Sequence, residues 1–595
     1  MRRGGEFRRA LPWRGVSAAL ILALGCYATA YGAGLADFVP SDVGICVQAR
    51  EFTTRARTFL AGPIGQRLLA HHVVQEWRAE HSADLKKLHH DLETHFQMPL
   101  AELCDGVAGE EILLGIWPDE MPGRGKGPAL LLVRARNSDV LKRAMQALVD
   151  EQKKAGKLLA PEQVTAAGAK YQLQVIAPEQ DESRLYLATI GDVGILSNSS
   201  TLAVKVLELH ARAAASQSTD ALAQLPSYHA ALGRLPAENT VALFVNPRSW
   251  DASFDAAVQD ADDDDTTRAE HGKWLQAWRG TDYLVGGVAL SEEVRFEGAW
   301  HARADQLPTE ALEVADAVSG RAGFMELVPN NALIAVAGRA QWGRLARLVW
   351  GELAAGDAIV EPSRAATGAA DVIMQLLERL GPDCGAFVVG APDKAADKLP
   401  IELAFGVETR SRLPRELANT ATDTVDQSLR GALAMLTVLY NHDHPQAPAE
   451  LHTERVDGVP LTTLRGIKEL GDVQPTYTMT ADGLLVGTSQ RAVAQVATIA
   501  PADSLARSER VTRVLADHWA TPSQVLYIDL RGLCELLARH EGFAHHVMKH
   551  DEVPEAEAKR GLSELRGLLG LADTIVAACR VEPGDFAATA HLSAE

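Results

Sequence analysis

The chain has 595 residues, 47% hydrophobic and 23% charged, ordinary globular proportions at a length where one core stops growing and at least two domains are expected. Its formal net charge is −20, yet the first fourteen residues carry five arginines against Glu6, so the remainder stands at −24. A body this acidic repels phosphate backbones and anionic headgroups, which argues against nucleic-acid binding and against membrane attachment through a basic face.

The N-terminus runs from basic to apolar to small. Arg2, Arg3, Arg8, Arg9 and Arg14 precede an uncharged stretch from Gly15 to Ala36 with the apolar segment Val16–Leu24, the order of a secretory signal. Ala28-Thr29-Ala30 supplies a cleavage site that would start the mature chain near Tyr31. An uncleaved N-terminal membrane anchor is the alternative, since about 20 uncharged residues just span a hydrocarbon core. Cys26 invites a lipoprotein reading but lacks a leucine three residues before it. Residues 1–36 are therefore assigned as signal peptide or anchor. The other cysteines, Cys46, Cys104, Cys384, Cys534 and Cys579, are scattered, odd in number and without a CxxC pair, so neither a zinc site nor a disulfide framework is expected.

After this segment the predicted strands are 43–47, 111–116, 129–133, 184–188, 193–196, 241–245, 283–290 and 295–301. Several follow each other through turn signals such as Gly191-Asp192, which favours antiparallel hairpins over a doubly wound parallel sheet. Leu85, Leu88, Leu92 and Phe96 form one helical stripe. Leu141, Met145, Leu148 and Val149 form another, with Ser138 placed to cap it.

The same order returns further along. Val39-Pro40-Ser-Asp-Val-Gly-Ile45 echoes Val328-Pro329-Asn-Asn-Ala-Leu-Ile334. Ile190-Gly-Asp192-Val-Gly-Ile195-Leu-Ser-Asn-Ser199 echoes Thr480-Ala-Asp482-Gly-Leu-Leu485-Val-Gly-Thr-Ser489, and Asp220-Ala-Leu222-Ala echoes Asp503-Ser-Leu505-Ala. Matches in kept order at a nearly constant offset indicate an internal repeat. The expected organisation is copy one over 37–303, a linker helix over 304–324 and copy two over 325–595. The fold class is α+β, two tandem copies of a mainly antiparallel twisted sheet with helices packed on one face. The Pro-led opening strand, the strand–Asp–strand–Ser–helix unit and the following D-x-L-A helix resemble an exported bacterial family labelled only as a domain of unknown function. That resemblance implies location and fold and brings no catalytic residues.

The remaining motifs read as structural. His89, His90 and His95 share a helix with Lys86, Asp91 and Glu93, a polar solvent face. Gly123-Arg-Gly-Lys126-Gly127-Pro128 fails the phosphate-loop spacing. Asp260-Ala-Asp262-Asp-Asp264-Asp265 opens like a calcium loop but has Asp265 where glycine belongs and His271 where the closing glutamate belongs. His442-Asp443-His444-Pro445 with His452 lacks a fourth metal ligand. Ser199 and Ser489 sit where a strand runs into a helix, and N-capping is their expected role. His540-Glu541-Gly-Phe-Ala-His545-His546 misses the H-E-x-x-H spacing by one residue. His546 and His550, four apart, are the remaining metal candidates and would belong to copy two alone.

No catalytic or cofactor-binding residue is assigned and no cofactor is expected. The leading expectation is an exported periplasmic or envelope protein acting without catalysis through contact with an envelope protein partner, or as a structural element. The alternatives are a carrier of an apolar ligand and an enzyme whose site assembles from residues distant in sequence.

Overall fold

The computed structural model describes residues 34–108, 110–118, 127–177, 184–215, 220–253, 272, 275–342, 344, 380–391, 400–409, 415–470, 473–480, 483–518, 521–540 and 554–594. The chain divides into two compact units, Met1–Leu307 and Pro308–Glu595. Both mix helices with a large antiparallel sheet.

The first unit holds β1 (Ile45–Arg50), β2 (Glu111–Ile116), β3 (Ala129–Arg134), β4 (Glu162–Ala166), β5 (Ala169–Ile176), β6 (Leu185–Ile190), β7 (Val193–Ser197), β8 (Val241–Val245), β9 (Thr281–Leu290) and β10 (Val294–Ala302). Their order is β10–β9–β8–β1–β2–β3–β7–β6–β5–β4, with every neighbouring pair antiparallel. On one face Gln48 lies in a row with Leu113, Leu132 and Ile195. The helix Pro226–Leu232 meets that face through Tyr228, whose hydroxyl donates to Gln48 Oε1 at 3.2 Å. On the other face Ile112 and Val133 are buried with Val140, Leu141, Ala144 and Met145 of the helix Ser138–Lys154. The expectation of helices over one face thus gives way in this unit to cover on both. The cause is in the strands: Ile112-Leu-Leu114 and Leu130-Leu-Leu-Val133 are apolar at consecutive positions, so each face needs burial.

The second unit holds β11 (Ala332–Arg339), β12 (Asp383–Gly390), β13 (Ile401–Glu408), β14 (Glu450–Val456), β15 (Val459–Arg465), β16 (Thr476–Met479), β17 (Gly483–Gly487), β18 (Gln524–Asp529), β19 (Thr574–Glu582) and β20 (Asp585–Ser593). Their order is β20–β19–β18–β11–β12–β13–β17–β16–β15–β14, again antiparallel throughout. Its core gathers Ala335, Ala337, Phe387, Val389, Val525 and Tyr527 of the sheet with Val493 and Val496 of the helix Gln490–Ala497.

Small details also recur at corresponding places. A 3-10 turn stands before the first strand of each unit, at Leu35–Phe38 and at Phe324–Leu327. Leu222 N donates to Val39 O at 2.7 Å, and Leu505 N to Val328 O at 2.7 Å. The β4–β5 hairpin turns on Ala167 and Gly168, with φ of 48° and 81°, and the β14–β15 hairpin on Asp457 and Gly458, with φ of 49° and 84°. Two consecutive residues at positive φ suit the right-handed twist of a tight hairpin.

Helix starts correct one detail of the sequence reading. Asn137, not Ser138, caps the helix Ser138–Lys154, its side chain accepting from Asp139 N at 3.0 Å and Val140 N at 3.3 Å. Ser199 and Ser489 do cap: Ser199 Oγ accepts from Leu202 N at 3.4 Å and Ser489 Oγ from Ala492 N at 3.1 Å. Ser489→Ala is expected to cost about 1 kcal/mol, with Ser489→Asn restoring most of it, as measured by urea unfolding. The stripe on the helix Ser82–Phe96 reaches the core only at its end. Phe96 is buried, whereas Leu85 and Leu88 are 40% and 44% exposed.

The segment 304–323 contains the helix Thr309–Val318, with Ala317 buried and its carbonyl accepting from Gln341 N at 2.8 Å. This helix is accordingly tied into the second unit.

Candidate functional site

In the first unit three charged side chains end neighbouring strands in one register row: Arg50 pairs with Glu111, and Glu111 with Arg134. Such an alignment puts the three side chains on one face at one level. Glu111 is 5% exposed, a burial that a carboxylate tolerates only when paired and hydrogen-bonded. Its Oε2 accepts from Leu35 N at 2.8 Å, and its Oε1 accepts from Arg50 Nε at 3.2 Å and from Gln48 Nε2. Arg134 Nη1 stands 3.7 Å from Oε2. The Arg134 guanidinium also lies over the Phe38 ring at 5.6 Å and 3.7 Å from Asp192. Burial shapes the neighbourhood: it raises the Asp37 carboxyl, the Cys46 thiol and the Tyr228 phenol above their ordinary pKa values and lowers the His210 imidazole.

The second unit builds the same place from different residues. Arg339 pairs with Asp383 as Arg50 does with Glu111, and the turn Phe324–Leu327 stands where Leu35–Phe38 stands. At the end of β13, where β3 has Arg134, the residue is Glu408, whose Oε2 accepts from Asp383 N at 3.4 Å. Beside these residues lies a cleft of about 380 Å³, with Phe324, Glu326, Leu327, Asp383, Glu408 and Thr480 among its lining residues.

Phe324 is 3% exposed, and Gly385 and Gly406 admit its ring, since a methyl group at either would overlap it. Arg339 Nε lies 3.9 Å from Asp383 Oδ1, and both atoms are buried without a hydrogen bond. Arg321 Nη2 reaches Glu326 Oε1 at 3.1 Å. Burial pushes the neighbouring Cys384 thiol up to about 11.

A second kind of surface lies on the opposite face of this sheet. Val336 and Phe405 flank Ala386 in one row, with Leu403 two residues along β13. Val336, Leu403 and Phe405 are 48%, 44% and 40% exposed. On the helix Arg415–Asp443, Met435, Val438 and Leu439 repeat at helical spacing and are exposed as well.

Among the described residues, those singled out in the sequence are not brought together. His546 and His550 lie outside the described residues, as do Gly123–Lys126, Asp260–Asp265 and His271. His540 is buried at the end of the helix Leu530–Arg539. His442 and His444 sit at the end of another helix, with His442 Nδ1 3.1 Å from Asp443 and the His444 ring stacked on Tyr440 at 4.2 Å, while His452 in β14 is 3.6 Å from Glu454. His89 pairs with Glu93 at 3.2 Å and His95 with Glu151. Among the described residues no group of three or more His, Cys, Asp or Glu is arranged to hold a metal ion, and no helix is long and apolar enough to cross a membrane.

Glu111, Arg134, Asp383 and Glu408 were missed in the sequence. The available signal was the charge reversal between the ends of two matching strands, visible only once β3 and β13 are aligned. No family model, curated protein or solved structure matches the chain.

Proposed function

We propose that this chain is an exported envelope protein in which one α+β domain stands twice in tandem and which works without catalysis, by contact with an envelope protein partner. The tandem reading is supported by the common strand order, the paired 3-10 turns and the paired hairpin turns. Export is supported by the basic, apolar and small order of residues 1–36. The observation that carries the contact reading is the exposed apolar group Val336, Leu403 and Phe405 on adjacent positions of one sheet face, because contiguous apolar patches on a protein surface mark interaction sites.

The test is gentle cross-linking in intact envelopes followed by capture of the chain. The expected result is recovery of an envelope protein by the natural chain and its loss in a Val336→Asp, Phe405→Asp variant with unchanged melting temperature. Recovery of no envelope protein, or equal recovery by the variant, overturns the reading.

A further inference from the structure

We infer that β14, the open edge of the second unit's sheet, pairs antiparallel with β14 of a second copy of this chain, about a two-fold axis at Thr453. This pairing uses none of the residues of the partner contact proposed above, so either can fail alone.

The hairpin β14–β15 decides which backbone groups are available. Its two-residue turn Asp457-Gly458 makes Val456 and Val459 a hydrogen-bonded pair, and such pairs alternate along an antiparallel ladder. Glu454, His452 and Glu450 therefore bond to Leu461, Thr463 and Arg465. Leu451, Thr453 and Arg455 aim their N–H and C=O groups the other way. Leu464, opposite Leu451, shows the same alternation, for its N–H turns from β14 to Pro475 O at 2.9 Å. Among the described residues no strand pairs with β14 on that outer side. Proline, lysine, a bulge or an early end ordinarily blunts such an edge. β14 runs seven residues in unbroken register without proline, lysine or bulge, and Glu450, His452, Thr453 and Arg455 are exposed. The matching edge of the first unit, β4, has five residues and the helix Ser200–Ala214 against it.

Charge names the occupant. With Thr453 facing Thr453 of the second copy, Leu451 and Arg455 exchange backbone hydrogen bonds across the axis, and His452 falls opposite Glu454 in a pair that exchanges none. Side chains stand closest in such pairs, and an imidazole placed opposite a carboxylate there stabilises the sheet. The two-fold axis sets this pair twice. His452 Nε2 already lies 3.6 Å from Glu454 within one strand. Glu454 also accepts from Arg465 and Gln490, and a carboxylate has about four acceptor sites in all. Glu450 meets Val456 and Arg455 meets Leu451, so no like charges stand directly opposite. Moving the axis by one residue sets Glu454 opposite Glu450 or opposite itself, and repulsion then fixes the register. An exposed strand that matches itself in this way fits an isologous contact, in which both copies give the same surface.

The test is sedimentation velocity of the full-length chain over rising concentration, with hydrogen exchange of residues 450–456 followed in parallel. The expected result is a dimer by about 100 µM, in which that peptide gains protection. Thr453→Pro removes an outward N–H, which an edge strand tolerates, and His452→Glu sets like charges across the axis. Both should weaken the dimer at least about tenfold with an unchanged circular dichroism spectrum. Exchanging the two residues, His452→Glu with Glu454→His, should restore dimerisation relative to His452→Glu alone. If Thr453→Pro unfolds the sheet, His452→Glu and the exchanged variant decide the outcome. A chain monomeric throughout, a dimer that neither variant weakens, or protection of 450–456 that appears only with an envelope partner present overturns the inference.

Discussion

Replacing Glu111 with alanine is expected to destabilise the first unit by about 3–5 kcal/mol, the cost of breaking a buried ion pair from one side. The carboxylate receives Leu35 N, Arg50 and Gln48 directly, with Arg134 beside it. Its removal leaves Arg134 in place, mostly out of solvent and with Asp192 and Asp37 as the counter-charges beside it. Leu35 N, at the start of the 3-10 turn Leu35–Phe38, also loses its acceptor. Glu111→Gln should fall between the alanine variant and the natural chain, because it keeps an acceptor for Leu35 N and loses the charge. Hydrogen exchange provides the check. Amides of β1, β2 and β3 should lose protection while those of the second unit's core are unchanged. Protection equal to that of the natural chain would show that the network contributes nothing to stability.

Phe324→Ala is expected to cost the second unit a comparable amount, about 3–5 kcal/mol, through the cavity left by a buried ring. The ring belongs to the central core with Phe387, Leu485 and Val493 and lies against Gly385 and Gly406. Those glycines make the site unusually able to report on packing. Gly406→Ala alone should be overpacked and cost about 1–3 kcal/mol, whereas Gly406→Ala in the Phe324→Ala background should cost less, because the overlap with the ring is gone and Leu485 Cδ2, at 2.8 Å, can move into the space it leaves. Denaturant midpoints of the four chains close a double-mutant cycle. Strict additivity would mean that the ring and the glycine do not meet.

How far the fold was legible depends on which residues carried a local signal. Glu111–Ile116 and Val241–Val245 stand with the bounds that their apolar runs and flanking turns predict. Both Pro-led openings form an isolated bridge, Pro40 to Ala221 and Pro329 to Ser504. The hairpin β4–β5 was missed because Glu162-Gln-Val-Thr-Ala166 is polar and half exposed, and its turn uses Ala167-Gly168 without the Asn or Asp that usually announces such a turn. The site was less legible still. A glutamate at the start of one strand and an arginine at the end of another look like solvated strand ends until pairing puts them side by side. Histidines drew attention in the sequence because metal chemistry has recognisable spacings, whereas a register row between distant strands has none.

The place of β1 in the sheet governs how each unit can be made. It lies in the interior, between β2 and β8, so that Ile45 pairs with Ile116 on one side and with Val245 on the other. In the second unit Ile334 likewise waits for Ile528. Contacts separated by so much chain form slowly, since loop closure precedes any gain from pairing. One edge of β1 stays unpaired until synthesis has passed the end of β8. A nascent chain of this topology remains open and threadable for most of the length of each unit. It closes late, once its own far end arrives.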